Sequence, residues 1–589
     1  LAIAQPRTPI AERKATSDRR SDRASRVSEF VMHRVIWNIC LFITVVLGGI
    51  VFGYPLAVMA QHGANSAAWP AGAIEPARWF SYVASFDLPN LLRPYWLMFR
   101  GRSQEFAGGG RIELGTTVAA FLIITVALFR IKKIEIKRDP SGIYGAARWA
   151  TPAEIGQMDE GLELGIDKAT GRAVRVSIEG NLLTIAPPRK GKTSGLLIPN
   201  LAYPELAAWL GPAVVIDPKG DAYRAVAGRR RQLGRIVRCL DPLQLVGGTD
   251  SWNPLENVAA TDILYLQHTA RMLLPEPNGT GDGAAAYFNN RAVDLILGAM
   301  LVALHSPKRD IPEVWRLLNN EDDFFKGLQA LNALPAAQAA LKIMESDPKA
   351  RDTIVSTASQ AFSWLNDARP AGMVSSNSFD LRDLTRGDVD LFVAVPSRDN
   401  LTLAPFLRWL LGDIFDTVRE HHPAERMVIF IDEASTLGRF DAILKAAGEL
   451  PGHGASLWTI WQDRAQIVTT YGEPGARTLL STADIVTLFD VPATDPDESD
   501  RWSRALGSFS ALIESHSTGG GKGAASTSTT SQETRLMTKE ELTTLDSRDL
   551  IVFPNSRFYT RHPFRLRKTA FDDPRFDNLI IKVPRVARI

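Results

Sequence analysis

A chain of 589 residues exceeds the size at which one hydrophobic core stops growing, so more than one folded unit is expected. Its 45% hydrophobic and 22% charged residues exclude a disordered or fibrous chain, and a formal charge of +2 excludes the one-sided balance that would by itself announce a nucleic-acid partner. Two cysteines, Cys40 and Cys239, exclude a disulfide framework and a cysteine-rich zinc site, and the scattered histidines give no case for a structural metal.

Residues 1–34 form a basic tail with Arg7, Arg13, Lys14, Arg19, Arg20, Arg23, Arg26 and Arg34. The following run, 35–59, carries no charge and exceeds the roughly 20 residues a helix needs to cross a hydrocarbon core. A second uncharged run, 114–131, reaches spanning length by including Ile131 and letting its basic ends snorkel. Arg130, Lys132, Lys133, Lys137 and Arg138 follow it, so positive-inside logic predicts two transmembrane helices with both flanks cytoplasmic and 60–113 as a periplasmic loop. The aromatics of that loop, Trp69, Trp79, Phe80, Tyr82, Phe86, Tyr95, Trp96 and Phe99, suit an interfacial or partner-facing surface. A cleaved leader is the alternative for the first run, because Val58-Met59-Ala60 resembles a processing site.

Beyond Ile134, short apolar runs alternate with helical patterns, which predicts an α/β domain with a mainly parallel sheet. Candidate strands are Leu182–Ala186, Ala213–Ile216, Asp390–Val395, Met427–Ile431, Leu457–Trp461 and Ile485–Phe489. Residues 132–252 and 376–589 read as two parts of one nucleotide-binding domain, and 253–375, with helical periodicity throughout, as an all-helical insertion. The Gly/Ser/Thr-rich stretch 515–534 is expected to be a disordered loop.

Chemistry enters at Ala186-Pro187-Pro188-Arg189-Lys190-Gly191-Lys192-Thr193-Ser194. This fits the P-loop pattern except that Ala186 stands for its first glycine, and it follows a strand and opens a helical pattern, as a phosphate cradle requires. Lys192 would serve the β- and γ-phosphates of ATP, and the Thr193 hydroxyl would help hold Mg²⁺. Pro199, early in the same helix, should bend it. Met427 to Glu433 is an apolar strand ending in two carboxylates, the Walker B arrangement, with Asp432 for the metal and Glu433 as general base. Gln462, after another apolar run, could sense the γ-phosphate.

With these pieces placed, the chain resembles the type IV coupling proteins of conjugation and secretion, the TraG/TraD group. The resemblance is carried by Tyr144 to Ala150, Ala186 to Asn200, Asp217 to Asp221, Asn253-Pro-Leu255, Ser376 to Leu384, Asp432 to Gly438 and Gln462 to Gln466. It implies a RecA-like P-loop motor with an inserted all-helical domain, a homo-hexamer at the bacterial inner membrane, and ATP-driven transfer of a single-stranded DNA–relaxase complex or secreted proteins to channel components. Some members place an arginine finger eleven residues before the sensor glutamine, where this chain has Pro451; Arg464, Arg501 or Arg504 would have to substitute. The cluster Arg229, Arg230, Arg231, Arg235 and Arg238 could touch DNA phosphates, or form a solvated face or subunit contact. The competing readings are an FtsK-like double-stranded DNA translocase and a docking receptor with a structural ATP site.

Overall fold

The computed structural model describes residues 47–581 apart from 67–68, 72, 107, 131–136, 275–282, 518–525, 556–558 and 571. The chain divides into two units, 1–136 and 137–589.

In the first unit a helical segment, 47–62, is followed by helices Pro76–Ala84, Leu88–Arg100 and Arg111–Arg130. Asp87 opens the second by accepting the Asn90 N–H at 3.3 Å, and Gly101, at φ +68°, ends it. The segment read as a periplasmic loop is therefore largely helical. Trp79 is fully buried, packed on Tyr54 and donating its indole N–H to the Val51 carbonyl at 2.7 Å, so it is core and not partner-facing, whereas Phe86, Trp96 and Phe99 are exposed. Among the described residues no helix is long and apolar enough to cross a membrane. The two spans expected at 35–59 and 114–131 are thus not found as such. Residues 35–46 and 131 lie outside the described residues.

The second unit is built on β-strands. In chain order these are β1 (Lys137–Arg138), β2 (Leu162–Ile166), β3 (Ala173–Val176), β4 (Asn181–Ile185), β5 (Ala213–Ile216), β6 (Ile236–Leu240), β7 (Val389–Val393), β8 (Met427–Ile431), β9 (Ala455–Trp461), β10 (Ala483–Leu488), β11 (Ser508–Ser517), β12 (Ser526–Arg535), β13 (Asp549–Pro554) and β14 (Phe564–Arg567). Among the described residues the main sheet runs β3-β2-β14-β13-β10-β4-β9-β8-β5-β7-β6. The run from β10 to β6 is parallel throughout, and β13, β14, β2 and β3 extend it antiparallel. Strands β4, β5, β7, β8 and β9 are buried at every position because both faces of the sheet are covered. Met427, Ile429 and Ile431 of β8 join one core, while Val428 and Phe430 join the core of the opposite face.

Between β6 and β7 the described chain is helical, with Gly283–Leu304 at its centre. Asp262, Asp310, Asn320 and Asp347 each cap a helix through a side-chain oxygen, and Pro312, Pro335 and Pro348 occupy first turns, where a missing N–H costs nothing. Gly298 lets the helix Pro335–Met344 approach closely: a methyl group there would stand 2.5 Å from Cβ of Ala340.

Two expectations are corrected here. The described ends of the stretch 515–534 are not free loop, since Ser508–Ser517 pairs antiparallel with Ser526–Arg535 and β1 adds a third strand, while 518–525 lie outside the described residues. Backbone pairing and threonine's fit to a pleated strand supply order that the low apolar content does not suggest. Phe509 and Ala511 are buried at the hairpin's base. The arginine cluster is also largely internal. Arg230 is fully buried and grips Asp390 of β7 through Nε and Nη2 at 2.7 and 2.9 Å, and Arg235 holds the same carboxylate at 2.9 Å. Asp390 Oδ1 also accepts the Ala213 N–H at 3.0 Å, tying β7 to β5. Arg229 donates to the Ala202 and Tyr203 carbonyls, and Arg238 pairs with Asp250. Arg231 alone of the five is exposed.

Removing one partner from such a buried ionic cluster leaves uncompensated charge. Asp390→Ala should therefore lower unfolding free energy by about 3–5 kcal/mol, against roughly 0.5 kcal/mol or less for Arg231→Ala. Denaturant titration of both variants checks this, and equal midpoints would contradict the brace.

Candidate functional site

Parallel strands deliver their carboxyl ends to one edge, and the register decides what meets there. Ile185 of β4 lies beside Trp461 of β9, and Ile431 of β8 beside Ile216 of β5. The residues that follow these strand ends are the P-loop, Gln462, Asp432 with Glu433, and Asp217. β9 stands between β4 and β8, so Gln462 is placed between the P-loop and the paired carboxylates.

Ala186 is fully buried, and its N–H bonds the Trp461 carbonyl at 2.8 Å. Its φ is not positive, which is why alanine serves where the motif has glycine. The loop's left-handed positions are Arg189, at φ +66°, and Gly191, at φ +83°. Pro187 is half-buried, Pro188 and Arg189 are exposed, and Lys190 pairs with Asp490 beyond β10. Thr193–Leu197 is a π-turn leading into Ile198–Ala202. Pro199 stands in the first turn of Ile198–Ala202, directly after this π-turn, whose widened hydrogen bond runs from the Ile198 N–H to the Thr193 carbonyl. Ser194 donates its hydroxyl to the Gly191 carbonyl at 3.4 Å.

The four residues on which the site reading depends converge. Lys192 Nζ is 2.5 Å from Glu433 Oε2, and the Thr193 hydroxyl donates to Asp432 Oδ2 at 2.7 Å. Gln462 Nε2 donates to Glu433 Oε1 at 2.9 Å, and Ser435 Oγ to the same oxygen at 3.0 Å. Gln462 thus reaches the carboxylate, a partner the sequence did not indicate. Burial raises the Asp432 carboxyl above its usual range against the opposing pull of Lys192, and pushes buried Asp217 up to about 6 with Asp432 adding to the rise. In the sequence Asp217 stands out only as part of the run Asp217 to Asp221. Its position one residue beyond an apolar strand was the signal for a role at this edge.

The donor set suits a hard divalent cation. Thr193 supplies a hydroxyl, and Asp432 a carboxylate whose buried Oδ1 has no hydrogen-bond partner among the described residues. Oxygen ligands of this kind, few in number, are what Mg²⁺ takes when phosphates and water complete its shell. Lys192 and the backbone N–H groups at the start of the π-turn face the same edge and suit an anion.

Of the arginines considered as replacements for a finger at Pro451, Arg464 is buried and pairs with Glu473, which lies beyond the kink at Gly472. Arg501 and Arg504 lie exposed on the helix Pro496–Leu506, the latter 2.5 Å from Asp500. Pro451 lies in the turn Leu450–His453, its carbonyl accepting Arg426 at 3.3 Å.

A RecA-like α/β fold with a P-loop and paired carboxylates on one edge defines a P-loop nucleotide-binding protein. The family model "Type IV secretory system Conjugative DNA transfer" matches residues 172–586, and the chain belongs to that family, that of the type IV coupling proteins. It is 24% identical over 474 residues to the conjugal transfer protein TraG of Escherichia coli, covering 70% of this chain and 72% of that protein. With the type IV secretion system-coupling protein VirD4 of Bartonella henselae it shares 23% identity over 411 residues, 62% of this chain and 63% of the relative. The structure of the bacterial conjugative coupling protein TrwBdeltaN70 superposes with a TM-score of 0.57 at 16% identity, covering 75% of this chain and 97% of that one. The plasmid coupling protein TrwB in complex with ADP and Mg²⁺ gives 0.56, also at 16%, over 75% and 98%.

Thr193→Val keeps the shape of the side chain and removes its oxygen. Nucleotide affinity, read by fluorescence with and without Mg²⁺, should lose roughly tenfold or more of its metal-dependent gain, about 1.4 kcal/mol, while metal-free affinity stays put. An unchanged response to the metal would remove Thr193 from the cation site.

Proposed function

We propose that the chain is the coupling ATPase of a type IV secretion or conjugation system. It receives a single-stranded DNA–relaxase complex, secreted proteins or both, and drives them to channel components by Mg²⁺-dependent ATP hydrolysis, as a homo-hexamer at the bacterial inner membrane. The observation that carries the reading is the shared carboxylate of Glu433, with Lys192 and Gln462 on its two oxygens. The family it belongs to supports the transfer role, and the uncharged runs 35–59 and 114–131 with their basic flanks support the membrane location.

In this reading Lys192 and the loop backbone bind the β- and γ-phosphates, while Thr193 and Asp432 hold Mg²⁺, whose charge offsets that of the phosphates. Glu433 accepts a proton from the attacking water. Gln462 and Ser435 fix its orientation, so the base need not search for its geometry once nucleotide is bound. A purely structural ATP site would have no use for a carboxylate held by two donors beside the phosphate-binding lysine. Arg501 and Arg504 are the exposed candidates for serving a neighbouring subunit's nucleotide.

Glu433→Gln should lower ATP turnover by roughly 10²–10⁴-fold with nucleotide affinity little changed, and Lys192→Ala should lose both. Substrate transfer between cells should fall to background in each. Retained transfer in either variant would refute the motor role, and turnover without transfer-dependent phenotype in a deletion strain would favour a chromosome translocase.

A further inference from the structure

Arg408 lies in the middle of the long helix Asn400–Glu420 and is 4% exposed, yet no carboxylate among the described residues pairs with it. Its guanidinium is spent on backbone carbonyls from two separate places. Nε and Nη2 each stand 2.8 Å from an oxygen of the helix Ile263–Leu273, those of Met272 and Leu273. Nη1 donates to the Leu437 carbonyl at 3.3 Å. The first two are end carbonyls of a helix in the insertion, a position where intrahelical N–H partners run out and the macrodipole favours a cation. The third closes the turn Ala434–Leu437, which begins immediately after Glu433.

That turn is tied to the base at several points. The Thr436 hydroxyl donates to the Glu433 carbonyl at 2.7 Å, Ser435 donates to its carboxylate at 3.0 Å, and Gly438 leaves the turn at φ +62°. Burial pushes the Arg408 guanidinium down to about 10, the expected effect of desolvation without an acid to offset it. A buried cation of this kind costs stability that an apolar side chain would not, so packing does not explain its presence. What only a planar fork provides is simultaneous attachment of two backbone segments at fixed angles.

We infer that Arg408 is a positioning residue that couples the helical insertion to the hydrolytic base, setting the place of Glu433 through the turn Ala434–Leu437 according to the state of the helix Ile263–Leu273. This rests on the ATPase reading for its catalytic consequence. The linkage itself is a matter of geometry. When the helix end shifts, the fork must either carry the turn with it or abandon one of its carbonyls.

The test uses the full chain purified, with Arg408→Lys, which keeps the charge and loses the fork, and Arg408→Gln as a neutral second variant. Thermal unfolding establishes that each is folded. Arg408→Lys should lower kcat about tenfold or more, with KM and affinity for a non-hydrolysable ATP analogue within about twofold. Hydrogen exchange of residues 263–273 should change when Mg²⁺ and the analogue are added to the wild-type chain, and not change in either variant. An exchange response that persists in a folded variant, one missing from the wild type, or a kcat that does not move would each overturn the linkage. A wild-type chain that binds the analogue and shows the response but never turns over ATP would instead sink the hydrolysis reading.

Discussion

The carboxylate of Glu433 is where the constraints on this structure meet. Each of its oxygens is already assigned, one to the Lys192 ammonium and the other to the Gln462 amide and the Ser435 hydroxyl. These partners come from positions 192, 435 and 462, carried by three different strand ends, so the arrangement holds only if β4, β8 and β9 finish level with one another. A slip of one residue in any of the three would turn the side chains in question to the opposite face of the sheet. The register is held by cores on both faces, because successive residues of β8 enter different cores and a slipped strand would place none of them correctly.

Holding strand ends level is also the work of the buried Asp390 cluster. Arg230, in the last turn of the helix Asp221–Gln232, and Arg235, just before β6, meet a carboxylate in β7, and that carboxylate takes the first N–H of β5. The brace lies at the amino end of the parallel strands, opposite the nucleotide edge. A shift there would be transmitted along β5 to Asp217, whose buried carboxyl lies within the repulsive field of Asp432. Charge burial of this sort stabilises little by itself and is explained by the alignment it enforces.

How much of this was legible in the sequence follows from what each signal depends on. The six strands read from apolar runs correspond to β4, β5, β7, β8, β9 and β10, because a strand covered on both faces is predominantly apolar, its few polar residues being paired inside. The edge strand β6, with Arg238 and an exposed Ile236, lacks that signature, as do β2 and β3, so they were not read. P-loop and Walker B residues were legible because phosphate and metal chemistry restricts residue type at fixed spacing. Arg230 and Arg235 were misread as a surface patch because their partner, Asp390, is more than 150 residues away in sequence. Arg408 gave no signal at all: its partners are backbone carbonyls, which every residue possesses, so no pattern of side chains can announce them.

In the proposed hexameric ATPase, an arginine finger absent at Pro451 would have to come from elsewhere in the chain. A residue that completes a neighbour's site must be free of obligations within its own chain and must reach solvent. Arg464 fails on both grounds, since it is buried and committed to Glu473. Arg501 and Arg504 reach solvent, but each has an acid one helical turn away on its own helix, at 3.9 and 2.5 Å. Exposed pairs of that kind are worth about 0.3–0.5 kcal/mol, far less than a charge-assisted contact to a phosphate provides, so a neighbouring nucleotide could take either arginine from its acid at small cost. A buried bidentate pair could not be recruited in this way. On the proposed ATPase reading, the exposed helix Pro496–Leu506 is therefore a better source of a trans-acting arginine than the buried Arg464.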